Sequence, residues 1–260
     1  MNSSKSIVFI TGTFLSNSCW DEWKSFFESK GYHCIAPAWP HKNASAEDLR
    51  NRHPDAAIAS LRLPMLIVYY SGIIHALPQK PILIGHSLGG LIVQLLLQQG
   101  LAAAGIAIHS FPPQNAGRFN FHLLKALWEV MGFFTDIHQS YMMPFRNWKR
   151  SVANGITCDQ QKELYYRYAL PESKQVSRDL FSSFTNIDFK SPHAPLLLTS
   201  GTADEIVPAP VNYGNYRKYS RDDSITNYKE FAAHNHLVFG ESLWMEEADF
   251  ILYWLQGINP

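Results

Sequence analysis

Gly85-His86-Ser87-Leu88-Gly89 stands between an apolar run, Ile82 to Ile84, and a helix-compatible stretch from Gly90 to Gln98. A serine framed by glycines two residues to either side, where a strand turns directly into a helix, sits on a sharp, strained turn. Its neighbours must be small because strand and helix pass closely there. The turn exposes the Ser87 hydroxyl and aims the Leu88 amide at the place where an oxyanion would form. A chance match of three residue types loses force once a buried strand and a helix must flank them.

The rest of the chain supplies the frame that such a turn needs. Ile7 to Ile10 is a continuous apolar run that ends in Thr11-Gly12-Thr13, and Tyr32 to Ala36 is a second short strand halted by Pro37. Between them, Cys19 to Lys30 carries Trp20, Trp23, Phe26 and Phe27 at helical spacing and closes on Gly31. Residues 40–56 read as a polar loop, and Ala57 to Leu77 as a helix that Pro64 kinks or divides. Ala104 to His109 is another strand, as are Pro195 to Gly201 and Ile225 to Phe231; Val211 to Tyr219 and Leu243 to Leu255 read as helices. Strand and helix in alternation predict a mostly parallel, doubly wound α/β sheet.

That rhythm breaks after Phe111-Pro112-Pro113. From there to about Lys190 the chain reads as helical, rich in aromatic and methionine residues, with no clear strand. The expected organisation is a core built from residues 1–111 and 191–260, with residues 112–190 inserted as a helical cap after the fourth strand.

With 260 residues, 46% of them hydrophobic and 17% charged, the chain has enough apolar material for one large domain and its insertion. Twenty-two basic and 22 acidic residues cancel without forming long runs, which argues against a nucleic-acid groove or a polybasic membrane patch. No apolar run approaches the roughly 18 residues of a membrane span. The first one is too short for the core of a signal peptide. Cys19, Cys34 and Cys158 are odd in number and lack CxxC spacing, so they read as free thiols of a cytoplasmic protein. Neither HExxH nor a cysteine pair marks a metal site, and no G-x-G-x-x-G follows a strand. The expectation is a small-molecule substrate, with no cofactor, no metal, no nucleic acid and no membrane.

A serine hydroxyl is a poor nucleophile at neutral pH unless a base takes its proton and an acid orients that base. Asp204, in Ser200-Gly201-Thr202-Ala203-Asp204-Glu205-Ile206-Val207-Pro208, lies just past a buried strand, at the sheet edge that also presents Ser87. Glu205 is its local competitor, and a plain Asx turn is the bland alternative. Phe231-Ala232-Ala233-His234-Asn235-His236-Leu237-Val238 offers two histidines; His236, nearer the last helix, is the preferred base and His234 the fallback. His86 reads as structural packing behind the turn. His109 ends a strand beside the expected pocket and is a candidate lining residue, against the plainer reading of a satisfied, half-buried histidine.

Together these residues resemble the α/β-hydrolase superfamily over almost the whole chain, and in particular its small esterase-like members with a helical cap. The likeness rests on the Ser87 turn, the Asp204 loop, His236-Leu237, and Thr11-Gly12-Thr13 with Trp20 shortly after. It implies a Ser87–His236–Asp204 triad, with Thr13 donating the second oxyanion amide beside Leu88; Phe14 is the less favoured donor. Thr11 stands where relatives carry a histidine before the glycine, and Trp39 falls in a loop where many have an aspartate and a glycine. Neither change removes a catalytic atom.

The segment 112–190 holds more large apolar side chains than exposed loops carry, among them Trp128, Met131, Phe133, Phe134, Tyr141, Met142, Met143, Phe145 and Trp148. Most are expected to be packing. The excess, with Phe14, His109 and Trp128 as candidates, would line a pocket for a fairly apolar substrate of small to medium size. The reading is a serine esterase. Alternatives on the same triad are a thioesterase, a lactonase or a carbon–carbon bond hydrolase; further off stand a lyase, cofactor-free oxidation or a binding protein.

Overall fold

The computed structural model describes residues 5–117, 130–219, 223–240 and 243–260. Six strands, β1 (Ser6–Ile10), β2 (His33–Ile35), β3 (Ile82–His86), β4 (Ala104–Ile108), β5 (Leu196–Gly201) and β6 (Thr226–Phe231), form one sheet. Their spatial order is β2-β1-β3-β4-β5-β6, and every neighbouring pair is parallel. The central strands are buried along their whole length, as expected of a sheet covered on both faces. At one edge β6 is largely polar (Thr-Asn-Tyr-Lys-Glu-Phe), and at the other β2 is only three residues long. Both features blunt an exposed edge.

Among the described residues the helices are α1 (Asp21–Ser29), α2 (Ala46–Asn51), α3 (Ala56–Ala59), α4 (Leu63–His75), α5 (Leu88–Gln98), α6 (Phe145–Ser151), α7 (Cys158–Tyr168), α8 (Lys174–Asp179), α9 (Ala209–Tyr216) and α10 (Leu243–Ile258). Pro64 divides the stretch expected to be one helix into α3 and α4 and sits in the first turn of α4, where its missing N–H costs nothing. Residues 40–56 are not all loop. Ser45 caps α2 through its side chain, which accepts from the Asp48 amide, and Glu47 and Asp48 fill the first turn. Leu49 of that helix is fully buried against Ile58 and Leu170.

The sheet positions the site because α5 starts at once after β3. Gly89 lies against β1 so closely that a β-carbon there would collide with the Ile10 carbonyl. Only glycine lets the helix approach the sheet at this angle. The chain between β4 and β5 carries α6, α7 and α8 and returns to the core through residues 168–172, which run beside residues 14–16. Leu170 N–H donates to Phe14 O and Ser16 N–H to Tyr168 O, each at 2.8 Å, and Leu15 bridges Ala169 in antiparallel fashion. Among the described residues no helix is long and apolar enough to cross a membrane.

Candidate active site

Ser87 has φ +57° and ψ −118°, a conformation that an L-residue adopts only under strain. The surrounding backbone holds it there: Ser87 N–H donates to Ile108 O at 2.9 Å, and Ser87 O accepts from the amides of Gly90 and Phe111. The Leu88 amide is the first of α5 and has no acceptor within the helix.

The fold brings Ser87, His236 and Asp204 together from three loops at one edge of the sheet. His236 Nε2 lies 3.0 Å from Ser87 Oγ, and His236 Nδ1 lies 2.8 Å from Asp204 Oδ2. The other carboxylate oxygen of Asp204 accepts the amides of Ile206 and Val207, both at 2.8 Å. Burial would raise the Asp204 carboxyl, but the charge of His236 and its contacts with His109 and His236 hold it well below the usual carboxylate range. Glu205, its competitor in the sequence, is exposed. His234 turns away from Ser87, with Nε2 3.3 Å from Glu246. His86 is buried behind the turn and donates from Nε2 to the His236 carbonyl at 2.7 Å. Burial, with the nearby His236 and His109 rings, keeps it well below the ordinary histidine range, so the ring is neutral with its proton on Nε2.

The loop after β1 faces Ser87 from the other side. A β-carbon on Gly12 would stand 2.8 Å from the Ser87 β-carbon and 2.9 Å from the His86 carbonyl. Thr11 takes up a bracing role through its hydroxyl, which accepts the Trp20 indole N–H at 3.1 Å. Phe14, at φ +64°, commits its amide to Glu172 Oε2 at 3.1 Å. Glu172 is paired in turn with Lys42 at 2.6 Å, and both side chains are buried. Burial pulls the Lys42 ammonium down, with Glu172 opposing. The Lys42 ammonium also lies 4.3 Å from the centre of the Trp39 ring, which accounts for the tryptophan in that loop. Neither Lys42 nor Glu172 carries a signal in the sequence, where each reads as an ordinary surface charge.

Beside Ser87 lies a recess that encloses about 40 Å³, and about 490 Å³ once the open solvent at its mouth is counted. Thr13, Phe14, Phe111, Met143, Trp148 and Ile206 are among the side chains around it. Phe14 is one of them, and Met143 and Trp148 come from the chain between β4 and β5. Trp128 lies outside the described residues. His109 does not line the recess: it is fully buried behind Asp204, because the strand that it ends points it under the acid loop. Asn154 ties the chain between β4 and β5 to the loops that carry Asp204 and His236, donating to Ala203 O at 2.8 Å and accepting from Asn235 Nδ2 at 2.7 Å.

Two buried groups of potential metal ligands exist among the described residues: His109, Asp204 and His236, and His109, His234 and Glu247. In the first, Asp204 and His236 already bond each other. In the second, Glu247 Oε2 is 3.8 Å from both His109 Nε2 and His234 Nδ1. That is wider than the roughly 3.3 Å between ligands around a tetrahedral zinc.

Comparison with known proteins agrees with this architecture. The family model described as the alpha/beta hydrolase family matches residues 7–248. A monoacylglycerol lipase from Paleococcus ferrophilus is similar in structure, with a TM-score of 0.68 and 20% identity, over 98% of this chain and 96% of its own. Tomato methylketone synthase I gives a TM-score of 0.69 at 12% identity over 99% of both chains. A methylesterase from Arabidopsis gives 0.67 at 13% identity over 97% of this chain and 99% of its own. A search of curated proteins finds no match. With a family match across nearly its whole length, the chain belongs to the alpha/beta hydrolase family.

Proposed function

We propose that this protein is a serine hydrolase that cleaves a carboxylic ester of small to medium, fairly apolar character. The observation that carries the reading is the unbroken chain from Ser87 Oγ to His236 at 3.0 Å and from His236 to Asp204 at 2.8 Å, opening on an apolar recess.

His236 takes the Ser87 proton as Oγ attacks the ester carbonyl. The Leu88 and Thr13 amides receive the oxyanion. Thr13 is the donor from the β1 loop because the Phe14 amide already serves Glu172. His236 then protonates the departing alkoxide, and an acyl group remains on Ser87. A water molecule, deprotonated by His236, attacks that acyl carbonyl and returns the serine. Asp204 keeps the Nδ1–H tautomer of His236 and stabilises the imidazolium that forms in each half-reaction. Residues 112–190 act as the cap, and Met143 and Trp148 bring its apolar face to the substrate.

The lipase and the methylesterase among its structural relatives support ester hydrolysis as the chemistry. Hydrolysis of p-nitrophenyl esters from acetate to dodecanoate, by wild type and Ser87→Ala side by side, tests it. Turnover that depends on Ser87 is expected, with an optimum at short to medium chains. A folded protein silent on every ester yet labelled by a fluorophosphonate would move the substrate to a thioester, a lactone or a carbon–carbon bond. Silence towards both would overturn the reading.

A further inference from the structure

Behind the triad lie buried ionisable groups that ester cleavage leaves unused. His109 follows β4 and is fully buried between two carboxylates. Its Nδ1 is 3.3 Å from Asp204 Oδ2, and its Nε2 is 3.8 Å from Glu247 Oε2. The first lacks hydrogen-bond geometry and the second is too long for a hydrogen bond, so both contacts are chiefly ionic. Glu247, on α10, is fully buried as well, and neither of its carboxylate oxygens has a hydrogen-bond partner. A buried carboxylate in that position is costly unless a positive charge lies close by.

An imidazole with a carboxylate at each nitrogen has no good place for a lone pair. In a neutral ring one nitrogen would turn its lone pair towards an anion, whereas a proton on both meets both carboxylates. Burial alone would push the His109 pKa down, but the contact with Asp204 and the charges of Glu247 and Asp204 outweigh it, and the pKa is raised. The remaining neighbours are the Asn235 backbone, which also favours the protonated ring, the His86 and His236 rings, with centres 6.4 and 6.3 Å away, and His234, which shares Glu247 and meets Glu246 on its far side.

We propose that His109 is a positioning residue of the triad: a doubly protonated ring that joins Glu247 on the last helix to Asp204. It supports the acid loop from behind and shares the charge that Asp204 offers to His236. The consequence is electrostatic as well as mechanical. With part of its charge met by His109, Asp204 offers less negative charge to the His236 ring.

The proposal rests on the Ser87–His236–Asp204 reading, but its first measurement does not. Nitrogen-15 NMR of the imidazole rings, with His109 assigned through its own backbone, should show both ring nitrogens of His109 protonated at pH 7. A neutral His109 ring there overturns the proposal, whatever the enzyme's substrate. The second measurement is the pH dependence of fluorophosphonate labelling at Ser87 for wild type, His109→Asn and Glu247→Gln. His109→Asn removes a positive charge beside Asp204 and should move the acid limb to higher pH, on the order of 1 unit, whereas Glu247→Gln removes an anion and should not. A His109→Asn protein that melts earlier but keeps the wild-type limb would reduce His109 to packing. Stoichiometric zinc in the purified protein, lost in Glu247→Gln, would also overturn the proposal by making the trio a metal site.

Discussion

Glu172 and Phe14 are 158 residues apart in sequence, and a hydrogen bond from the Phe14 amide to the Glu172 carboxylate joins them at 3.1 Å. Through it the chain between β4 and β5 holds the loop that faces Ser87, while Lys42 supplies the charge that makes a buried carboxylate tolerable there.

Glu172→Gln leaves Lys42 buried without its counter-charge and weakens the grip on Phe14. Stability should fall by about 3 kcal/mol in urea denaturation. Because the displaced loop also carries Thr13, kcat on an ester should fall more than KM rises. An unchanged kcat in a folded variant would show that the loop keeps its shape without Glu172.

Asp204→Asn keeps a side-chain oxygen for the Ile206 and Val207 amides but no longer holds His236 in the required tautomer. Turnover should drop by about 10⁴-fold. Glu205 is exposed, so Glu205→Gln should leave kcat near the wild-type value. The reverse pattern would reassign the acid.

Gly12→Ala places a methyl group 2.8 Å from the Ser87 β-carbon and 2.9 Å from the His86 carbonyl. Neither neighbour is the free end of a flexible chain, so the loop itself must move. Steady-state kinetics should show a large loss of kcat, alongside a stability cost of about 1–3 kcal/mol.

Trp20→Phe preserves most of the aromatic packing against Phe9, Trp23 and Phe239 but removes the indole N–H that Thr11 accepts. The buried hydroxyl is left unsatisfied, at a cost of about 1–2 kcal/mol by chemical denaturation. Thr11→Val in the Trp20→Phe background should add little, since both partners are then gone.

The two ionisable groups on either side of the His109–Asp204 contact give stability opposite dependences on pH. Asp204 has a depressed pKa when folded, so its contribution is present above the unfolded value near 4 and is lost as pH falls through the folded one. His109 has a raised pKa, so its contribution is complete below about 6.5 and is lost as pH rises through the folded value. Melting curves from pH 3 to 9 should show the onset of the acid loss and the alkaline loss in full, and His109→Asn should remove the alkaline one. An alkaline slope that persists in that variant would assign it to another group.

The strand-to-helix turn at Ser87, the alternation of strands and helices, and the loops bearing Asp204 and His236 were all legible in the chain. Each depends on neighbouring residues: the glycines that let α5 meet β1, the apolar runs buried on both faces, and the position of a loop after its strand. The choice between His234 and His236 needed folded geometry, because two residues along a loop reverse which ring faces Ser87. The Lys42–Glu172 pair spans 130 residues, and His109 meets Glu247 only after the last helix has docked. In sequence these are solitary charges and a strand-end histidine. Burial converts them into charges that must find one another, and which ones meet depends on long-range packing that no local pattern encodes.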